Sequence, residues 1–349
     1  MILVTGGTGF IGSHVCVALI NAGYDIVILD NLSNSYSEVV DRLECICKFR
    51  LKFIEGDILD SNLLDDIFFE NNISAVIHLA GLKAVSESIK NPLKYYNINV
   101  EGTLKLISAM RKANVKKLVF SSSAAVYGQP VNVPIREDFS LSPKNPYARS
   151  KLMIENILAD LHKAESDWHI ACLRYFNPVG AHESGLIGED PKIFPYNLMP
   201  YLTQVAIGRR KELTIFGGDY PTTDGTAIRD YIHVMDLAEG HIAALNYINC
   251  KQGLVTVNLS TGKGVSVLGV LHAFTKASQC TIAYCILDRR PGDIAECWAD
   301  SSFAQQVLCW QAKRNMTQIC NDSWRFQKTN PNGYSLLHFD EIKKHEEIY

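Results

Sequence analysis

A β-branched run begins almost at the first residue and breaks at once into glycine. Ile2-Leu3-Val4 leads into Thr5-Gly6-Gly7-Thr8-Gly9-Phe10-Ile11-Gly12, and apolar residues at helical spacing follow: Ile11, Val15, Ala18 and Leu19. This order predicts strand, glycine turn, helix. A second apolar run, Ile26-Val27-Ile28-Leu29, ends in Asp30-Asn31. Glycine permits a tight turn and close backbone approach to a pyrophosphate, and a later glycine lets helix and strand pack together. The helix start offers free N–H groups and a positive dipole end to phosphates. An acid closing the second strand accepts both hydroxyls of an adenosine ribose and repels a 2′-phosphate, so Asp30 favours NAD over NADP. A glycine motif alone is often only a tight turn. The strand before it, the helix after it and the acid at the next strand end weigh against that reading.

The alternation continues along the chain. Leu51-Lys52-Phe53-Ile54 precedes Gly56-Asp57-Ile58, Ala75-Val76-Ile77-His78-Leu79 precedes Ala80-Gly81, and Leu118-Val119-Phe120 precedes Ser121-Ser122-Ser123. Helical stretches lie between, including a long one near 92–113. Strand and helix in alternation predict an α/β fold, a doubly wound parallel sheet of Rossmann type with its ligands beyond the carboxyl ends of the strands. At 349 residues, about two domains are expected.

Composition removes classes without naming a chemistry. With 34 Lys plus Arg against 37 Asp plus Glu, the net charge of -3 gives no electrostatic footprint for nucleic acid or an anionic membrane. No stretch approaches the ~20 apolar residues that span a bilayer, and the N-terminus lacks the pattern of a signal peptide. Ten cysteines form no Cys-x-x-Cys pair and no zinc-spaced Cys/His cluster, so reduced thiols, a cytoplasmic protein and no metal are expected.

Pro146-Tyr147-Ala148-Arg149-Ser150-Lys151 opens an apolar-periodic helix, and Tyr147 and Lys151, four apart, share one face of it. A nearby ammonium favours the phenolate, which suits Tyr147 to act as a base. With 15 tyrosines in the chain, one such pair is expected by chance. The strand-end run Ser121-Ser122-Ser123-Ala124-Ala125-Val126-Tyr127-Gly128 makes it specific, because both elements then sit in this order on one Rossmann frame. Here the sequence resembles the extended short-chain dehydrogenase/reductase family, whose catalytic set is a Ser or Thr, a Tyr and a Lys beside NAD. The resemblance implies that Ser123 hydrogen-bonds the substrate oxygen, Tyr147 exchanges the proton and Lys151 holds the nicotinamide ribose.

The likeness narrows to the UDP-galactose 4-epimerases. It rests on the glycine turn through Ser13-His14, on Asp30-Asn31-Leu32, Glu55-Gly56-Asp57-Ile58 and His78-Leu79-Ala80-Gly81-Leu82-Lys83-Ala84-Val85. Leu173-Arg174-Tyr175-Phe176-Asn177-Pro178-Val179-Gly180-Ala181, Asn197-Leu198-Met199-Pro200 and Arg229-Asp230-Tyr231-Ile232-His233-Val234 extend it, and the match runs to about Tyr334. Related dehydratases need an Asp-Glu pair after the catalytic hydroxyl residue, and related decarboxylases a Glu at the second position. Ala124 and Ala125 transfer no proton, which disfavours both chemistries. Reversible oxidation at C4 is the remaining simple scheme: a proton to Tyr147, a hydride to NAD, rotation of the 4-keto sugar, and return of the hydride to its other face. Another UDP-sugar enzyme, a 4-ketoreductase, decarboxylase or dehydratase, and a non-catalytic NAD-binding scaffold are the rival readings.

The resemblance also implies a cofactor set and a substrate set. Gly6, Gly9, Phe10, Ile11 and Gly12 line the NAD phosphates with help from Lys83; Asp57 and Ile58 meet adenine. Asn31, Asn34, Leu79, Ala80, Gly81, Asn99, Ser121 and Tyr175 complete the cofactor contacts, Asn99 within the family-like block Asn99-Val100-Glu101-Gly102-Thr103. Phe176, Asn177, Asn197, Leu198 and Arg229 are assigned to the UDP-sugar, with Lys83, Ser123 and Tyr147 beside them. In Arg289-Arg290-Pro291-Gly292-Asp293, Arg290 is assigned to the diphosphate, whose oxygens suit a planar guanidinium, and Asp293 to the uridine ribose. Some epimerases carry Tyr where this chain has Cys297; the smaller side chain leaves room for an N-acetyl group, so UDP-GlcNAc and UDP-GalNAc join UDP-Glc and UDP-Gal as expected substrates. The division implied is an NAD-binding unit over 1–175 and a UDP-sugar unit over 176–349, with 229–245 packing back on the first, in a homodimer. His14, His78 and His233 read as structural. The charged tail after Tyr334 reads as a mobile end or short surface helix.

Overall fold

The computed structural model describes residues 1–334 except 193, 194, 196 and 291. The tail after Tyr334, and Pro291 of the double-arginine block, therefore lie outside the described residues. Six strands follow the glycine-first reading: β1 (Ile2–Thr5), β2 (Ile26–Asp30), β3 (Lys52–Glu55), β4 (Ala75–His78), β5 (Lys117–Ser123) and β6 (His169–Tyr175). With the late strand Gly253–Leu259 they form a seven-stranded sheet in the order Gly253–Leu259, β6, β5, β4, β1, β2, β3. Every pairing is parallel. The doubly wound sheet expected from the sequence is present.

Alternate side chains of a strand point to opposite faces, and the two large cores show it directly. Ile2, Val4, Ile26 and Ile28 join one cluster with Leu19, Leu237 and Leu245. Leu3, Val27 and Leu29 join the other with Leu106, Leu158 and Trp168. Burial on both faces accounts for strands that read as continuous apolar runs.

Helix Val234–Cys250 packs on helix Phe10–Asn21, and Gly253–Leu259 adds to β6 in register from Gly253 opposite His169 to Leu259 opposite Tyr175. The segment that folds back on the first unit thus runs to Leu259, well past 245. The first unit takes its last strand from the half of the sequence assigned to the second.

The second lobe has its own core, built by Leu202, Phe274 and Ile319 from helices Leu198–Ala206, Val267–Ser278 and Met316–Thr329. Its strands are short. Leu213–Phe216 pairs with Tyr284–Leu287, and Ile228–Arg229 lies between Val265–Ser266 and Glu296–Cys297. A small cluster of Ala124, Phe176, Ile135 and Ala299, with Cys297 against it, joins the lobes directly beside Ser123.

The helix expected near 92–113 is interrupted. Pro92–Tyr95 and Gly102–Lys112 are α-helical, and Tyr96–Glu101 forms a wider π turn between them. Such turns cluster at functional sites because they re-aim one side chain; here Asn99 lies in the turn and is buried.

Candidate active site at the carboxyl edge of the sheet

β1 has β2 on one side and β4 on the other, so the sheet opens a crevice beyond its carboxyl end. Gly6 turns there with φ of +72°, and a Cβ on it would stand 2.7 Å from the Ala80 nitrogen. A Cβ on Gly12 would overlap the Gly6 carbonyl. Helix Phe10–Asn21 starts at Gly9 with no capping side chain and no acid in its first turn. A backbone cradle with an uncapped, positive helix end fits a dinucleotide pyrophosphate.

Asp30 closes β2 in a buried position. Its carboxylate accepts from the Thr8 and Leu32 amides at 3.1 and 2.9 Å and from the Ser35 hydroxyl at 3.0 Å. The acid is therefore fixed against the glycine turn before any ligand arrives. Asn31 donates to Asp57 at 2.7 Å, linking the ends of β2 and β3. Asn34 is exposed beside them, and Ile58 is buried under the segment at Gly102.

At the end of β4, the Leu79 amide donates to the Thr5 carbonyl and the Ala80 amide to the Thr5 hydroxyl. Asn99 accepts from the Leu82 amide at 2.8 Å and donates to the Leu82 carbonyl and the Ser150 hydroxyl. A Cβ on Gly81 would lie 3.1 Å from the Asn99 Oδ1 and 4.0 Å from the Lys151 Nζ. Gly81, Asn99 and Lys151 are thus brought together from three elements. Lys83 stands apart from the glycine turn's phosphate cradle in one respect: its Nζ pairs with Glu189 at 3.1 Å.

Helix Pro146–Ala164 begins with Asn145, whose side chain accepts from the Ala148 amide, and proline at the first position suits a helix start. Ser123 ends β5 and its hydroxyl accepts from the Ala125 amide. Tyr147 is half-buried beside Ser123; burial pushes its phenol up, and the Ser123 side chain opposes this. Lys151 is buried and donates to the Ser121 carbonyl at 2.7 Å. Burial pushes its ammonium down to about 8, opposed by the negative charge of Glu155. Ser123, Tyr147 and Lys151 form one constellation at the sheet edge. Tyr175 is placed deeper: its hydroxyl meets His241 at 2.6 Å in the core, and burial pushes its phenol upward.

The substrate-side residues come from several short segments. Asn177 is exposed and its amide donates to the Asp230 carbonyl, while Phe176 is buried near Cys297. Arg229 sits opposite Cys297 in register and donates to the Ile228 carbonyl at 2.8 Å. Burial pushes the Cys297 thiol up to about 11, with Arg229 opposing. Asn197 precedes Leu198 at the start of its helix and donates to Glu189 at 2.8 Å. Arg290 pairs with Asp293 at 2.9 Å and lies 4.8 Å from the ring centroid of Phe216.

Three histidines hold structural bonds. His78 bridges Thr5 and Thr103 at 2.7 and 2.8 Å, His14 meets the Phe10 carbonyl, and His233 caps helix Val234–Cys250 and pairs with Asp322. Burial pushes both His14 and His78 down to about 3, so they are neutral. Among the described residues no group of three or more His, Cys, Asp or Glu could hold a metal ion, no helix is long and apolar enough to cross a membrane, and all ten cysteines are free. A cavity of about 640 Å³ between Ala18, Tyr247 and Leu308 contains none of the site residues.

Sequence reading missed the support beneath the site. Glu155, one turn beyond Lys151, takes two bonds from the Arg174 guanidinium at 3.0 and 2.6 Å and a short one from the Ser122 hydroxyl. Arg174 continues to Tyr127, and Tyr127 to Asn258 of the late strand. The i, i+4 spacing of Lys151 and Glu155 was the available signal. Glu189, which receives both Lys83 and Asn197, and the Phe216–Tyr220 segment beneath the two arginines carried none.

A glycine turn at an uncapped helix start, a buried acid at the next strand end, and Ser123, Tyr147 and Lys151 at the same sheet edge are the pattern of an NAD-dependent short-chain dehydrogenase/reductase of the extended kind. A family model for the NAD dependent epimerase/dehydratase family matches residues 2–259, and the chain belongs to this family. It is similar to the UDP-glucose 4-epimerase of Bacillus subtilis (strain 168), 57% identical over 333 residues covering 95% of this chain and 98% of the relative. Among solved structures, it is similar to the UDP-glucose-4-epimerase from Stenotrophomonas maltophila with bound NAD and formylated UDP-arabinopyranose. That likeness has a TM-score of 0.93 at 47% identity and covers 95% of this chain and 98% of the other. The UDP-glucose 4-epimerase from Bifidobacterium longum in complex with NAD+ and UDP gives a TM-score of 0.92 at 50% identity, covering 95% and 99%.

Proposed function

We propose that the chain interconverts UDP-galactose and UDP-glucose by epimerisation at C4, and that it also accepts the corresponding N-acetylated sugars. The observation that carries the reaction is the convergence of Ser123, Tyr147 and Lys151 beside Ala124 and Ala125. NAD, when bound in the cradle, supplies the hydride acceptor and donor. Tyr147 takes the proton from the 4-hydroxyl and returns one to the oxygen after the sugar has turned. Ser123 holds that oxygen, and the Lys151 ammonium favours the phenolate electrostatically while binding the cofactor ribose. Asp30 fixes the adenosine ribose, and Gly6, Gly9, Gly12 and Asn99 complete the cofactor cradle. Ala124 lies in an apolar cluster and offers no acid or base for elimination.

Arg229, Arg290 and Asp293 bind the nucleotide, with the Phe216 ring as the shelf for Arg290, and Asn177, Asn197 and Lys83 complete the sugar and diphosphate contacts. Holoenzyme given UDP-galactose should yield UDP-glucose with no net NADH. Accumulation of NADH or of a 4-keto product would instead favour a ketoreductase or another redox enzyme.

Room for the N-acetyl group is supported by Cys297, which packs on the Ala124–Phe176 cluster that joins the lobes. Cys297→Tyr should lower turnover of UDP-GalNAc at least tenfold while leaving UDP-galactose within about threefold, and equal rates of wild type and variant on UDP-GalNAc would refute the gate. A homodimer is supported by Ile89, Leu93 and Met153, which are 64%, 81% and 44% exposed on helices that pack together. Sedimentation should give a dimer, and Leu93→Glu a monomer.

A further inference from the structure

Tyr220 is 5% exposed, yet among the described residues its hydroxyl has no hydrogen-bond partner. A buried O–H without an acceptor is rare, because it forfeits its bond to water without replacing it. The ring is held firmly. Arg289 lies 4.2 Å above its centroid and is itself anchored to Asp219 at 2.7 Å, while the Tyr220 amide donates to the Gly225 carbonyl. A Cβ on Gly217, which turns with φ of +82°, would overlap the ring edge, so glycine is needed to seat it.

The charges acting on the phenol are those of Asp293, Arg229, Arg289 and Arg290. Three of these charged groups are guanidiniums, which accept no hydrogen bond. Of the four, Asp293 is the one with an acceptor, its carboxylate, and its segment starts at the Arg289 that lies over the Tyr220 ring. That carboxylate is occupied by Arg290 at 2.9 Å, in a pair whose two side chains are 52% and 25% exposed. A pair so open exchanges partners cheaply, and a diphosphate offers a guanidinium a better ligand than one carboxylate oxygen.

We propose that Tyr220 is a positioning residue for the nucleotide end of the substrate: its hydroxyl donates to Asp293 when Arg290 is drawn to the diphosphate. Asp293 then keeps a partner and a fixed orientation toward the ribose. Without ligand, Arg290 and Asp293 hold each other and the Tyr220 hydroxyl has no partner among the described residues. The inference rests on the assignment of Arg290 and Asp293 to the nucleotide.

The test uses holoenzyme and UDP as the probe, in a double-mutant cycle of Tyr220→Phe with Asp293→Ala. Tyr220→Phe should weaken UDP about tenfold, the scale of a hydrogen bond to a charged group, and raise KM alike with kcat within twofold. Its Tm should not fall, since the substitution removes a donor that was unmet. On the Asp293→Ala background Tyr220→Phe should change nothing further. Unchanged UDP affinity in Tyr220→Phe, a full additional loss on Asp293→Ala, or a lowered Tm with kcat and KM impaired together would each overturn the proposal. Unchanged affinity in Asp293→Ala alone would remove its premise by showing that this acid does not serve the nucleotide.

Discussion

On the cofactor side of the cleft, the polar groups are buried and already partnered. Asp30 holds the Thr8 amide, Asn99 holds Leu82 and Ser150, and Lys151 holds the Ser121 carbonyl. On the substrate side the cations lie partly open and pair with carboxylates, Arg290 with Asp293 and Lys83 with Glu189. Buried, bonded groups are costly to rearrange, whereas exposed ion pairs contribute little and exchange readily. Under the proposed reaction, the first side suits a ligand that stays, because that redox cycle has no net change. The second suits a ligand that, under the same proposal, arrives as one epimer and leaves as the other.

Substitutions should divide along the same line. Tyr147→Phe should lower turnover by about 10²–10⁴, the range for a lost acid–base group, while UDP affinity stays within twofold; undiminished turnover would break the assignment. Lys151→Met tests the buried side through pH. Because its folded pKa of about 8 lies below the ordinary lysine value, the buried ammonium weighs against folding in full below pH 8, and the penalty fades as pH rises toward 10.5. The variant should therefore be inactive yet gain stability of order 2–3 kcal/mol near pH 7, shrinking toward pH 10 in denaturant titrations. A stability loss that is constant with pH would show that the Ser121 bond outweighs desolvation.

The smallest effect belongs to the open side. Arg290→Ala should raise KM about tenfold to a hundredfold, the worth of charged hydrogen bonds, with kcat and Tm nearly unchanged because the pair it breaks is exposed. A drop in Tm comparable to that of a core substitution would erase the contrast between the two sides.

The residues proposed for catalysis and cofactor binding were legible because each lies in a local pattern. Gly6 to Gly12 is one turn, Tyr147 and Lys151 are one helical turn apart, and Ser123 ends an apolar run. The Asn99 block was recognisable, but the π turn that buries Asn99 was not, since its effect depends on Leu82 and Ser150 from elsewhere. Glu155 and Arg174 are 19 positions apart and meet only because β6 lies beside β5 and the helix Pro146–Ala164 packs across them. Tyr220 and Asp293 belong to separate short segments, so no spacing in the chain announces that they share a charge cluster.

Sequence alone determined the parallel sheet and NAD as the cofactor, and it singled out the set proposed to transfer the proton. These follow from contacts within a strand, a turn or a helix, whose periods are written into adjacent residues. Tertiary structure decided that Gly253–Leu259 completes the sheet of the first six strands, that Cys297 packs against the cluster holding Ala124 and Phe176, and that Glu189 receives both Lys83 and Asn197. Those contacts join segments far apart in the chain, and their geometry is set by how whole elements pack.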